Sequence, residues 1–201
     1  MREKFQYILK LISFVFIIPF VVGGTVGLSQ ELMLLNEYYP CFIWGMVTYV
    51  VIHLFVFEPQ VVFQLGRGFV EGVFKFSPVL VNVLRLTLPF YTTVLFIVLY
   101  AMRYTLKLGV GWTQIAVFFI ALTATMHVVL TARELYEEDS MLLKPNYFLM
   151  SGLVYIFAAF WLVLGLSFAF PEISAVQFFR AMAKVAMGLY TTAFIQLFVV
   201  R

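Results

Sequence analysis

The stretch Leu-Ile-Ser-Phe-Val-Phe-Ile-Ile-Pro-Phe-Val-Val-Gly-Gly-Thr-Val-Gly-Leu, residues 11–28, carries no charged side chain. As a helix it reaches about 27 Å, close to the ~30 Å of hydrocarbon in a bilayer. It follows Met1-Arg2-Glu3-Lys4, a flank that a cleaved signal peptide would also show. The run is too long for such a peptide's apolar core, so it reads as a first transmembrane helix with signal-anchor character.

Five further runs repeat the pattern, giving expected spans at 11–28, 41–57, 86–102, 112–132, 147–170 and 184–200. The runs are continuous, whereas strands of a membrane barrel would alternate in ~10-residue units. The fold class is therefore all-α: a polytopic transmembrane bundle of about six spans, read as a single membrane domain over 1–201. Composition agrees. Of 201 residues, 64% are hydrophobic and 11% charged, and mean hydropathy is +1.02. A soluble fold with that composition could not cover its surface with polar groups. No basic cluster with interleaved aromatics stands on a polar background, so nucleic acid is excluded as a partner. Cys41 is the single cysteine, which excludes an intrachain disulfide and a thiolate cluster.

With the N-terminus inside, the inner segments hold Arg2, Lys4, Lys10, Arg67, Lys75, Arg85, Arg133, Lys144 and Arg201. The outer loops hold Arg103, Lys107, Arg180 and Lys184. Nine against four places both termini in the cytoplasm. The expected location is a bacterial inner (cytoplasmic) membrane. Pro40 and Pro59 bracket the second span, and Pro145 and Pro171 the fifth. Pro19 and Pro89 lie inside spans, where kinks are expected. Gly23, Gly24 and Gly27 allow helices to approach closely.

Two segments, 59–76 and 172–184, are amphipathic. In the first, Gln60, Gln64, Arg67, Glu71 and Lys75 are spaced 4, 3, 4 and 4 and form one stripe on a helix. Two readings stand: an in-plane helix on the cytoplasmic face, or a re-entrant helix whose stripe faces a cavity. In the second, Arg67 and Glu71 pair at i,i+4. A lone Arg or Glu in hydrocarbon costs about 2.5–3.5 kcal/mol even on insertion scales. The stripe must face headgroups, a cavity or a partner. In 172–184, Gln177, Arg180 and Lys184 share a face, which predicts an interfacial helix leading into the last span.

The polar run 133–140 reads as a solvated extension of the fourth span, with Arg133 and Glu137 at i,i+4. Its acids Glu134, Glu137, Glu138 and Asp139 lack EF-hand spacing and a nearby histidine, so no metal is expected there. His53 and His127 are the two histidines, at similar depth in spans that run the same way. They could hold a b-type haem between them, or His53 and Glu58 could share a metal. The alternative is two hydrogen-bonded interior histidines. No acid lies mid-span, against ion-coupled transport.

The run Phe63-Gln64-Leu65-Gly66-Arg67-Gly68-Phe69-Val70-Glu71-Gly72-Val73-Phe74 resembles the zinc-motif helix of site-2-type intramembrane metallopeptidases and their bacterial polytopic relatives. That helix carries an aromatic–x–aromatic–Gly–His–Glu–x–x–His–Ala pattern. Without gaps, its two histidines fall on Arg67 and Glu71 and its glutamate on Gly68. Zinc needs histidines at i and i+4 with the intervening base, and all three are replaced. The run His127-Val128-Val129-Leu130-Thr131 resembles a later helix of those relatives and keeps its histidine. The resemblance implies a degenerate, non-proteolytic member with no catalytic residues.

The leading reading is a non-enzymatic membrane subunit or scaffold that packs against membrane lipids and other membrane subunits, with no cofactor. The alternatives are a haem-binding redox subunit using His53 and His127, and a small transporter or lipid-handling component using the Gln60–Lys75 stripe.

Overall fold

The computed structural model describes residues 2–55, 60–107, 109–138 and 145–198, without the side chains of 2–4, 138 and 145. The end of the expected second span, Glu58, Pro59, Asp139, Lys144 and Arg201 lie outside the described residues. The helices are α1 (Arg2–Met33), α2 (Tyr39–Phe55), α3 (Gln60–Val73), α4 (Pro78–Thr87), α5 (Phe90–Tyr100), α6 (Val110–Glu138), α7 (Pro145–Ala169) and α8 (Ala175–Phe198). A 3₁₀ turn at Asn36–Tyr38 leads into α2, and a π turn at Ala101–Thr105 extends α5. No strand occurs among the described residues, so the chain is an all-α bundle.

Helices α1, α2, α6, α7 and α8 are long and apolar enough to cross a membrane. The pair α4–α5 makes a sixth crossing if counted as one, although it bends by 74°. This is a multi-pass integral membrane protein.

The expected third span, 86–102, is not one kinked helix. Leu88 is extended (φ −94°, ψ 107°) and the helix stops at Thr87. Pro89 has no N–H to donate and pushes the residue before it out of the α region. Helix α5 starts afresh at Phe90. By contrast, α1 continues through Pro19. The helix expected at 172–184 starts at Ala175 and is continuous with the last span. Neither proline nor glycine interrupts residues 175–187, so α8 runs unbroken from Ala175 to Phe198. Its Gln177, Arg180 and Lys184 stripe stays exposed while Phe178, Met182 and Ala186 are buried.

Helix α6 is the central element, packed against α2, α5 and α7, and α1 lies against α7 and α8. The core holds Phe42, Leu99, Val117, Ile120, Val163, Leu166 and Phe178. In lipid, apolar surface alone gives helices no drive to associate, so close packing and polar contacts supply it. Gly23 and Gly27 both meet α8: a Cβ on Gly23 would stand 2.4 Å from the Met182 carbonyl oxygen, and one on Gly27 3.0 Å from that of Phe178. On the same seam the Tyr190 hydroxyl donates to the Phe16 carbonyl. Helices α1 and α8 are thus antiparallel, and the start of one lies beside the end of the other. Between helices, Trp161 Nε1 donates to Thr93 Oγ1 at 2.9 Å, and the Thr25 and Tyr155 hydroxyls bond at 2.8 Å.

At the far end of the bundle, Glu31 is buried and its Oε2 accepts the Ser174 N–H at 2.8 Å, just before α8. A carboxylate at a helix N-terminus satisfies an orphan donor and complements the dipole. Glu31→Ala should cost about 1–2 kcal/mol. It should also speed amide exchange in the first turn of α8 before any other region; protection unchanged there would contradict the role.

Candidate functional site

The region with the densest polar chemistry is the junction of α3 with α5 and α6. Helix α3 presents three arcs. Phe63, Gly66, Arg67 and Val70 are buried against the bundle. Gln60, Gln64 and Glu71, followed by Lys75 just past the helix, form the polar arc and are exposed. Val61, Leu65, Phe69 and Val73 form a third arc, apolar and exposed, with Leu65 67% accessible. The width of the apolar sequence pattern comes from two apolar arcs, one buried against the bundle and one exposed.

Glycine sets the depth of the contact. Gly66 sits under the α5 rings: a Cβ there would be 2.7 Å from Tyr91 Cε2 and 3.1 Å from Phe90 Cδ1. The Tyr91 hydroxyl donates to the Val62 carbonyl at 2.5 Å.

Arg67 lies at the seam between the buried and polar arcs, 8% accessible. Its Nη1 donates to Glu134 Oε2 on α6. Gln64 Nε2 donates to Glu134 Oε1 at 2.8 Å, so both carboxylate oxygens are engaged by α3. The guanidinium carbon also stands 5.2 Å from the Phe63 ring centroid. The expected Arg67–Glu71 pair is corrected: Glu71 is exposed on the polar arc, while the seam carries the arginine towards α6. The Arg133–Glu137 pair forms as expected, at 2.8 Å and exposed.

Glu134 is the site residue that the sequence does not single out, because it stands in a run that reads as a solvated extension. The available signal is spacing. His127, Thr131 and Glu134 stand at i, i+4 and i+7 on one face of α6. His127 and Thr131 are buried, and the Glu134 side chain is 18% accessible.

His127 has a structural task that follows from the Pro89 break. Where α4 ends, the carbonyls of its last turn lose their intrahelical partners. His127 Nε2 lies 3.1 Å from the Leu86 carbonyl oxygen. A carbonyl only accepts, so Nε2 carries a proton and donates it to the Leu86 oxygen. The ring also meets Phe63, with centroids 6.1 Å apart. A cavity of about 20 Å³ adjoins it, lined by Arg67, Arg85, Tyr91, Thr123 and His127 among others. That volume suits one water. His53 instead stacks on Tyr49, with centroids 5.9 Å apart. The two histidines proposed for haem thus have different neighbours, and the Nε2 of one is engaged. Among the described residues, no group of three or more His, Cys, Asp or Glu side chains is placed to hold a metal ion.

Compared with protein-family models, curated proteins and solved structures, the chain matches none.

His127→Leu should leave the half-buried Leu86 carbonyl without its donor, at a cost of about 1 kcal/mol. The loss should appear as faster exchange around the α4–α5 break. A variant as stable as the wild type would show that the carbonyl finds another donor.

Proposed function

We propose that this chain is a non-enzymatic integral membrane subunit that uses α3 as its docking element for a helix of a partner membrane protein. The observation that carries the reading is the outward side of α3. Gly68 and Gly72 stand one turn apart, and nothing lies within 4 Å of the place a Cβ would occupy on either. Leu65 and Phe69 flank them, exposed. The amides of Gln60 and Gln64 edge the same shallow groove as Val61, Leu65 and Gly68. Small residues let a second helix come close, and adjacent amides give it hydrogen bonds, the two contributions that hold helices together in lipid. The ion pair to Glu134 and the Tyr91 bond make α3 a fixed platform.

The nine-to-four Lys and Arg asymmetry supports a cytoplasmic position for α3 and both termini. In the segment that resembles a zinc-motif helix, Arg67 takes a ligand position and binds a carboxylate, which suits a structural role better than a peptidase one.

Alanine at Gly68 and Gly72 should stabilise the isolated chain by up to about 1 kcal/mol each, because glycine is a poor helix former and the space is open. Leucine at both positions should abolish assembly while leaving the fold intact. Mild-detergent extraction from native membranes with native mass measurement reads this directly. A wild-type chain recovered only as a monomer, or an assembly that survives the leucine pair, would rule the proposal out.

A further inference from the structure

At the end of the bundle opposite α3, a depression of about 280 Å³ opens between three turns. Asn36, Glu37 and Tyr38 come from the α1–α2 turn, Arg103 from the π turn after α5, and Phe170 and Glu172 from the α7–α8 turn. The Arg103 guanidinium carbon lies 4.4 Å from the Phe170 ring centroid, and Tyr38 packs against the same ring, centroids 5.1 Å apart. Nη1 of Arg103 is buried and meets no hydrogen-bond acceptor. Among the described residues, none of Arg103, Glu37 and Glu172 forms an ion pair. Opposite charges thus share one depression without neutralising each other, because Phe170 holds the guanidinium. The local backbone is unusual as well: Asn36 is left-handed at φ 41°, and π turns recur at functional sites.

We propose that this depression binds a phosphoethanolamine group. A phosphate gives Arg103 the acceptors its fork is built for. A primary ammonium gives Glu37 and Glu172 their counter-charge. The depression's own charge is one positive against two negative, so a plain anion meets net repulsion. A quaternary ammonium would want an aromatic face, and that of Phe170 is already taken by Arg103. Tyr38, Tyr104 and Trp112 cluster at this end of the bundle, the pattern of a headgroup-level aromatic belt.

The test uses the full purified chain. Retention of phosphatidylethanolamine, phosphatidylglycerol and phosphatidylcholine is measured by native mass spectrometry, with free phosphoethanolamine as competitor. Wild type should retain phosphatidylethanolamine at least tenfold over the other two, and Arg103→Ala should erase the preference. Glu37→Gln with Glu172→Gln should turn the preference towards phosphatidylglycerol, a gain that misfolding cannot mimic. Competition by free phosphoethanolamine assigns the site to a soluble ligand and its failure to a lipid; both support the recognition chemistry. Equal retention of the three lipids by wild type, or unchanged selectivity in the double glutamine variant, would overturn it.

Discussion

Glu134→Ala should destabilise the protein by about 2–3 kcal/mol, the range for losing hydrogen bonds between charged groups at a part-buried site. The size follows from the bonds that are lost. Arg67 is 8% accessible and reaches Glu134 across the α3–α6 junction. Without the acid, Arg67 loses its bond across the junction and Gln64 loses its acceptor as well. Arg67→Ala should cost less, because the Glu134 side chain keeps 18% of its surface and can turn to water. Replacing both at once, Arg67→Met with Glu134→Leu, should recover most of the loss, since desolvation consumes much of what a buried pair gains. The double-mutant cycle in a detergent unfolding titration separates these outcomes. Additive effects would show that the two residues act independently. Hydrogen exchange should locate the damage in α3, which would lift from the bundle before the rest opens.

Gly45→Leu should be more damaging still. A Cβ at this position of α2 would stand 2.2 Å from the Phe118 carbonyl oxygen and 2.9 Å from the Ala121 Cβ on α6. The obstacle is backbone, which cannot swing aside as a side chain can. Even Gly45→Ala forces α2 and α6 apart, at a cost of about 1–3 kcal/mol. Leucine adds three more carbons, and the α2–α6 packing should be lost. Thermal unfolding of the pure protein reads the effect, with Gly68→Ala as the control in open space. Equal melting temperatures for the alanine variants at 45 and 68 would contradict the close approach of α2 to α6.

Five of the spans were legible because each is a continuous apolar run, a pattern that lipid imposes on the sequence itself. The polar stripe of α3 was legible for the same reason, since Arg67 cannot face hydrocarbon. Its partner was not. Glu134 lies 67 residues away, and Glu71 offers the right charge at the right local spacing, so periodicity prefers the wrong acid. Pro89 announced a kink but not its depth. Whether the chain bends slightly or starts a new helix depends on which groups meet the freed carbonyls, and one of those is His127. The Asn36–Glu172 depression was also out of reach, because three separate turns build it. Read singly, Arg103 is one of four basic residues in the outer loops and Pro171 a helix stop.

The seam of α1 against α8 has a consequence for biogenesis. The glycines at 23 and 27 fit a helix that the ribosome makes last among those described here. Until α8 enters the bilayer, α1 exposes that notch to lipid or to whatever insertion factor holds it. A chain released before α8 would therefore be marked as unfinished by an open groove on α1. The seam closes only when two helices made far apart in time meet.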